Sequence, residues 1–163
     1  MSATNPVTIL LTHNAWANAQ LIRACESLTS EQFHQRFDIG PGSLHDTLTH
    51  VLGAMRGWAD LLARRDFRPR PEGTSRTPAE LALLLDESAR EWDVLAAAGP
   101  MDEPFARERG GKNYTFTRAE VVTHITTHGV HHRAQAINML RRLGAPKMPP
   151  SSVMEWVISG SGG

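Results

Sequence analysis

Cysteine is almost absent. Cys25 is the only one among 163 residues, which excludes a disulfide framework within the chain and any metal site built from several thiolates. Net charge is absent too: 17 Lys plus Arg balance 17 Asp plus Glu, so there is no sequence-wide basic footprint for nucleic acid. No apolar run approaches the roughly 20 residues that cross a bilayer. The opening MSATNPVTILLTHNAW has neither the basic start nor the apolar length of a secretory signal. Strand patterns are scarce and internal repeats are missing. These absences leave a soluble, cytoplasmic protein of one domain over residues 1–163, with no membrane and no nucleic acid among its partners and 40% hydrophobic residues to build a core.

Helical periodicity fills most of the chain. The first helix starts at NPVTILL, with Asn5 as cap and Pro6 at the first helical position, and runs to about residue 28. TSEQF reads as a short extra turn. After the loop FDIGPGS, Ser43 and Asp46 start a second helix over about 43–64. RRDFRPRPEGTSR is a polar, Pro-rich connection, read as a solvated linker. TPAE at 77–80 is a capping box opening a third helix that ends near AAAGP, and TRAE at 117–120 opens a fourth that Gly144 and Pro146 stop. Between them ERGGKNYTFT has the composition of a small hairpin. The tail 145–163 is partly irregular, with Val153, Trp156 and Val157 expected to dock on the body and the final GSGG expected to be floppy. Four helices joined by long connections predict an all-α four-helix bundle.

Histidine is where the sequence is concentrated. His124, His128, His131 and His132 fall within nine residues, from a total of eight. At about 100° per residue, Val121, Ile125, Ala136, Met139 and Leu143 share one face of the fourth helix. His128 and His132 lie on that face, and His124 and His131 lie toward its edge. Imidazoles at i and i+4 are neighbours on a helix surface and can grip one cation. Both His124/His128 and His128/His132 have that spacing; facing favours the second. A catalytic zinc site takes three protein ligands and leaves a fourth position open, so a third must come from elsewhere. The candidates are His13, His34, His45 and His50, and helix phase leaves the choice open. Gly53, Ala54 and Gly57 lie on the His50 side of the second helix and leave space for a pocket there.

Three stretches, LTHNAWANAQLI, SLHDTLTHVLGAMRGW and HITTHGVHHRAQAINMLRRLG, resemble in order and spacing the signature regions of the DinB/YfiT-like superfamily. The resemblance covers nearly the whole chain. It implies a four-helix bundle with a divalent metal held by three histidines, one from the second helix and two from an HxxxH on the last long one. Position by position these are His50, His128 and His132. Ala134 stands where the family often has glycine, in HRAQ for HRGQ, and is not a ligand position. The metal is zinc by first choice; nickel, copper, iron and manganese overlap in ligand preference. The resemblance implies relatives that include transferases and isomerases dependent on a low-molecular-weight thiol such as mycothiol or bacillithiol, beside many members with no established reaction.

Three neutral imidazoles leave a divalent ion its full charge. It can then acidify a bound water or deprotonate a bound thiol. The reading is a metal-dependent enzyme on a small-molecule substrate, activating a thiol for S-transfer. The alternatives are hydrolysis by metal-bound hydroxide, and a non-catalytic metal-binding stress-response protein. The HExxH glutamate of a peptidase is absent. A di-iron bundle needs paired Glu-x-x-His, and only EQFH fits. His124, His131, Arg133 and Gln135 flank the ligands as pocket candidates, with His124 placed to orient a ligand and Arg133 either meeting an anionic substrate or solvated or ion-paired. Asn14 and Asn18, in the apolar stripe of the first helix, either bind substrate or pair with buried groups across the bundle. Cys25 reads as packing. Trp16 points away from its helix's apolar face and is either a homodimer contact or covered by the tail.

Overall fold

A computed structural model describes residues 5–160. In chain order these form α1 (Pro6–Cys25), a short α2 (Ser30–His34), α3 (Leu44–Leu62), α4 (Pro78–Ala97), β1 (Pro104–Arg109), β2 (Lys112–Thr117), α5 (Arg118–Arg142) and a short α6 (Val153–Ile158). The protein is mostly helical. Its helices begin where side chains satisfy the first backbone N–H groups. The Val7 N–H donates to Asn5 Oδ1 at 2.9 Å, and Ser43 accepts from the Asp46 N–H at 3.0 Å. Thr77 with Glu80 and Thr117 with Glu120 close the two capping boxes read from TPAE and TRAE. At the other end of α5 the Ala145 N–H reaches back to the Leu140 carbonyl, and Gly144 takes the left-handed φ of +76° that this closure requires.

The long helices α1 and α3 each pack against both α4 and α5. The apolar faces meet in one core that includes Leu21, Leu48, Trp92, Ile125 and Met139. The second-helix stripe Leu44, Leu48, Val51, Met55 and Leu62 is buried, and Trp58 is half-buried at its edge. Cys25 is fully buried in this core, and burial pushes its thiol up to about 12; it is packing. No helix among the described residues is long and apolar enough to cross a membrane.

The all-α expectation needs one correction. Residues 104–117 form an antiparallel hairpin in register Phe105↔Phe116 and Arg107↔Tyr114. The composition signal in ERGGKNYTFT caught its second half; the first strand starts earlier, at Pro104. Gly110 and Gly111, with φ of +59° and +75°, make the two-residue turn. Only Phe105 of the ribbon is buried, so most of it lacks the apolar alternation that marks a strand. The connection before α4 also differs from a solvated linker. Buried Asp60 accepts from the Arg68 backbone N–H at 3.0 Å and from Arg65 Nε at 2.7 Å, and Glu91 pairs with both arginines. The tail docks through Trp156, which is buried, while Val157 is half exposed and turned outward. His13 links the tail to α1 through the Ser151 carbonyl at 3.0 Å, and Trp16 and Trp156 both stand 6.0 Å from its ring. Trp16 is half-buried beside this tail contact. The floppy end lies largely outside the described residues.

Between α1 and α5 sits a buried polar cluster. Arg133 donates to Asn14 Oδ1 at 2.7 Å and to Asn18 Oδ1 at 3.3 Å. No carboxylate pairs with Arg133 among the described residues, and burial drops its pKa to about 10. Gly129 is what lets the cluster form, because a Cβ there would collide with Asn14 Oδ1 and press on Arg133. Gly129→Ala should therefore destabilise the protein by about 1–3 kcal/mol, despite alanine's better helix propensity. Urea unfolding of the variant checks this: the midpoint falls while the slope stays constant.

Candidate metal centre

His50 on α3 and His128 and His132 on α5 meet where these helices pack. His128 Nε2 lies 3.2 Å from His50 Nε2 and 3.1 Å from His132 Nε2. The three rings offer one nitrogen each, all within 4.8 Å of one another, and this group could hold a metal ion. His132 is buried; His50 and His128 are half-buried, open on one side.

Proton accounting tests whether a cation fits. His132 Nδ1 is 2.8 Å from Gln135 Oε1, an acceptor, so the network assigns the His132 proton to Nδ1 and leaves a lone pair on Nε2. His50 Nδ1 faces the Glu72 carboxylate at 3.6 Å. That is too long for a hydrogen bond, but the negative charge favours the proton on Nδ1 and again a lone pair on Nε2. Two acceptors then point at His128 Nε2, which has at most one proton to share. A common cation satisfies all three. The observed spacings also suit one: two nitrogens bound tetrahedrally at roughly 2.0–2.1 Å are about 3.3 Å apart. Both Glu72 oxygens are buried without a hydrogen-bond partner, so an acidic group with unmet demand stands behind His50.

The electrostatics keep His128 and His132 neutral. Burial, then the neighbouring His132, His50, His124 and His131, push the His128 pKa down to about 3. Burial lowers His132 as well, with the Gln135 bond opposing it. Neutral imidazoles are the form that ligates a metal.

The supporting residues come from four places. Gln135 holds His132 through its oxygen, and its amide nitrogen donates to His131 Nε2 at 3.0 Å. Gly40, in a left-handed turn before α3, presses against Gln135, where a Cβ would clash with the amide. Gly53 makes room for Glu72 in the same way. Part of the space expected beside Gly53 is thus filled by a carboxylate, while Ala54 and Gly57 border open space. There a cleft of about 470 Å³ reaches the site, its wall including His50, His128, His124 and Trp58. His124 lies edge-on to Trp58 at 5.1 Å, and partial desolvation of its ring lowers its pKa. Ala134 is exposed.

Of the residues singled out from sequence, His50, His128 and His132 converge, and His124, His131 and Gln135 flank them. Asn14, Asn18 and Arg133 join one another at the α1–α5 interface and do not line the cleft. The other third-ligand candidates are engaged elsewhere. His13 holds the tail, His34 Nδ1 bonds the Ser30 carbonyl at 2.8 Å, and His45 accepts from the Arg76 N–H at 3.2 Å. Sequence reasoning missed Glu72. Its signal was one of only two carboxylates, with Asp66, in an otherwise basic connection.

Glu72→Gln should keep the shape but weaken metal binding about 10- to 100-fold. Chelator competition on the purified variant measures this; unchanged affinity would show that the carboxylate does not support His50.

The family model described as DinB family matches residues 1–154. The chain is also similar to Protein DinB of Bacillus subtilis (strain 168), 23% identical over 150 residues that cover 86% of this chain and 87% of that protein.

Proposed function

We propose that this chain, which belongs to the DinB family, holds one divalent metal ion, zinc by first choice, through His50, His128 and His132 and uses it to activate a small thiol for S-transfer. The observation that carries the metal reading is the three-way crowding of Nε2 atoms. The pairwise packing of α1, α3, α4 and α5 supports reading the scaffold as a four-helix bundle of the DinB/YfiT-like type. When bound, such an ion supplies Lewis acidity that brings a coordinated thiol or water into the neutral range.

The chain's own residues prepare the place for it. Gln135 fixes the His132 tautomer and Glu72 biases that of His50, so the lone pairs converge before any ion arrives. Burial keeps His128 neutral at physiological pH. The cleft beside the rings gives a substrate access, with Trp58 as an apolar wall.

Two features support thiol transfer. The only cysteine is buried and its thiol is pushed up to about 12, so a reacting thiol comes from outside. No described residue of the cleft wall is a carboxylate, so a hydrolytic general base of that type is missing from it.

His132→Ala should lose stoichiometric metal while keeping a largely helical far-UV spectrum. Metal analysis beside wild type checks the assignment, and full retention of tight metal refutes it. A thiol panel of bacillithiol, mycothiol and glutathione, with and without an electrophile, tests the chemistry. Metal-loaded protein should consume electrophile only when a thiol is present, and stripped protein should not. Turnover without thiol would replace transfer by hydrolysis, and no turnover at all would make this a metal-binding protein.

A further inference from the structure

The cleft beside the histidines carries an excess of positive charge in a chain that is otherwise balanced. Its wall includes Arg70, Arg107 and Arg109. Two of these come from β1. Side chains at alternate strand positions share a face, so Phe105, Arg107 and Arg109 point the same way. Phe105 is buried, Arg107 half-buried and Arg109 exposed, a gradient running from the core out to the cleft mouth.

Neighbouring arginines are neutralised. Arg64 and Arg118 pair with Glu103, and Arg65 and Arg68 pair with Asp60 and Glu91. Arg70 stands 3.5 Å from Glu72. Arg107 and Arg109 form no ion pair among the described residues, although they are close enough for Arg109 and Arg70 to lower the Arg107 pKa alongside its burial. Like charges left together without counter-charge are unfavourable unless something else brings the anion.

Arg107 is also held in place. Its guanidinium lies over the Trp58 ring at 5.1 Å and over the Phe67 ring at 4.7 Å. Stacking removes much of the rotamer freedom that an arginine otherwise loses on binding, and leaves its N–H fork available to a planar anion. Trp58 is the residue that also touches His124, so the clamp and the histidines share one wall.

We infer that this cleft selects a small organic substrate or thiol bearing a carboxylate or phosphate. Arg107 and Arg109 hold the anionic group while the rest of the molecule extends toward His128 and His50. The place of reaction rests on the metal-centre reading above; the anion contacts do not require it.

Calorimetric titration of the full chain, metal-loaded and chelated, tests this with succinate, glycerol 3-phosphate and the neutral control 1,4-butanediol. At least one anion should bind both forms and the diol neither. The tighter of the two anions identifies the group the site prefers. Arg109→Gln, at an exposed position, and Arg107→Gln should each weaken that binding about tenfold with metal content unchanged. Anions that bind no better than the diol overturn the inference. So does anion binding that is confined to the metal-loaded form and indifferent to both substitutions. Metal content assayed on the same samples reports separately on the histidine centre, so its failure is not mistaken for failure of the arginine clamp.

Discussion

Three imidazole nitrogens cannot crowd together around one point when only one of them has a proton to offer. Gln135 holds the His132 proton on Nδ1, on the far side of the ring, and the Glu72 charge favours the same placement on His50. The inward nitrogens are then lone pairs 3.1–3.2 Å from His128 Nε2. An uncharged arrangement leaves at least one repulsive contact, and a protonated one places positive charge where burial already drives His128 down to about 3. A compact cation with strong affinity for imidazole satisfies every nitrogen at once. Much of the local sequence can be understood as service to that constraint. Gly40 yields space to Gln135, Gly53 yields space to Glu72, and both α3 and α5 must sit close enough to bring the rings together.

Helix α5 carries two polar devices on adjacent residues. His132 turns toward α3 and the centre; Arg133, about 100° further round the helix, turns toward α1 and its two asparagines. A buried cation satisfied by amide oxygens has geometry to lose if the helix rotates or slides, because Asn14 Oδ1 accepts from both Arg133 and Asn18. Gly129 adds a steric limit on the same side. The α1 contact therefore helps to fix the rotational setting at which His128 and His132 face His50. This gives Asn14, Asn18 and Arg133 a positioning role at a distance from the rings.

Periodicity made the long helices readable, because their apolar faces are continuous and their caps are chemically specific. Thr77–Glu80 and Thr117–Glu120 close as capping boxes where TPAE and TRAE placed them. The HxxxH pair was readable for the same reason: both rings follow one helix's own geometry. The third ring was not, because His50 lies off the main stripe of α3 and its nearer partner, His128, is 78 residues away in the chain; the small residues beside it hinted at a pocket, and family resemblance selected it. Glu72 and the hairpin arginines were harder still. They sit on segments whose conformation is set by tertiary contacts, Asp60 and Glu91 gathering Arg65 and Arg68 in one case, and Phe105 anchoring the ribbon in the other. Ion pairs across that distance leave no periodic trace.

Charge connects these parts. The histidine centre presents imidazole nitrogens to the inside and has a carboxylate, Glu72, behind it. A divalent ion there would be only partly compensated, and the nearest cleft wall adds arginines in place of further acids. The field in the cleft would therefore be positive from two sources, and a low-dielectric wall such as Trp58 would focus it. A neutral molecule gains nothing from that field, whereas an anion gains on approach and again on docking. A thiol gains as well, since positive surroundings favour its thiolate over the protonated form. The same distribution that would let the site hold a metal without acidic ligands also sets the sign of what it attracts.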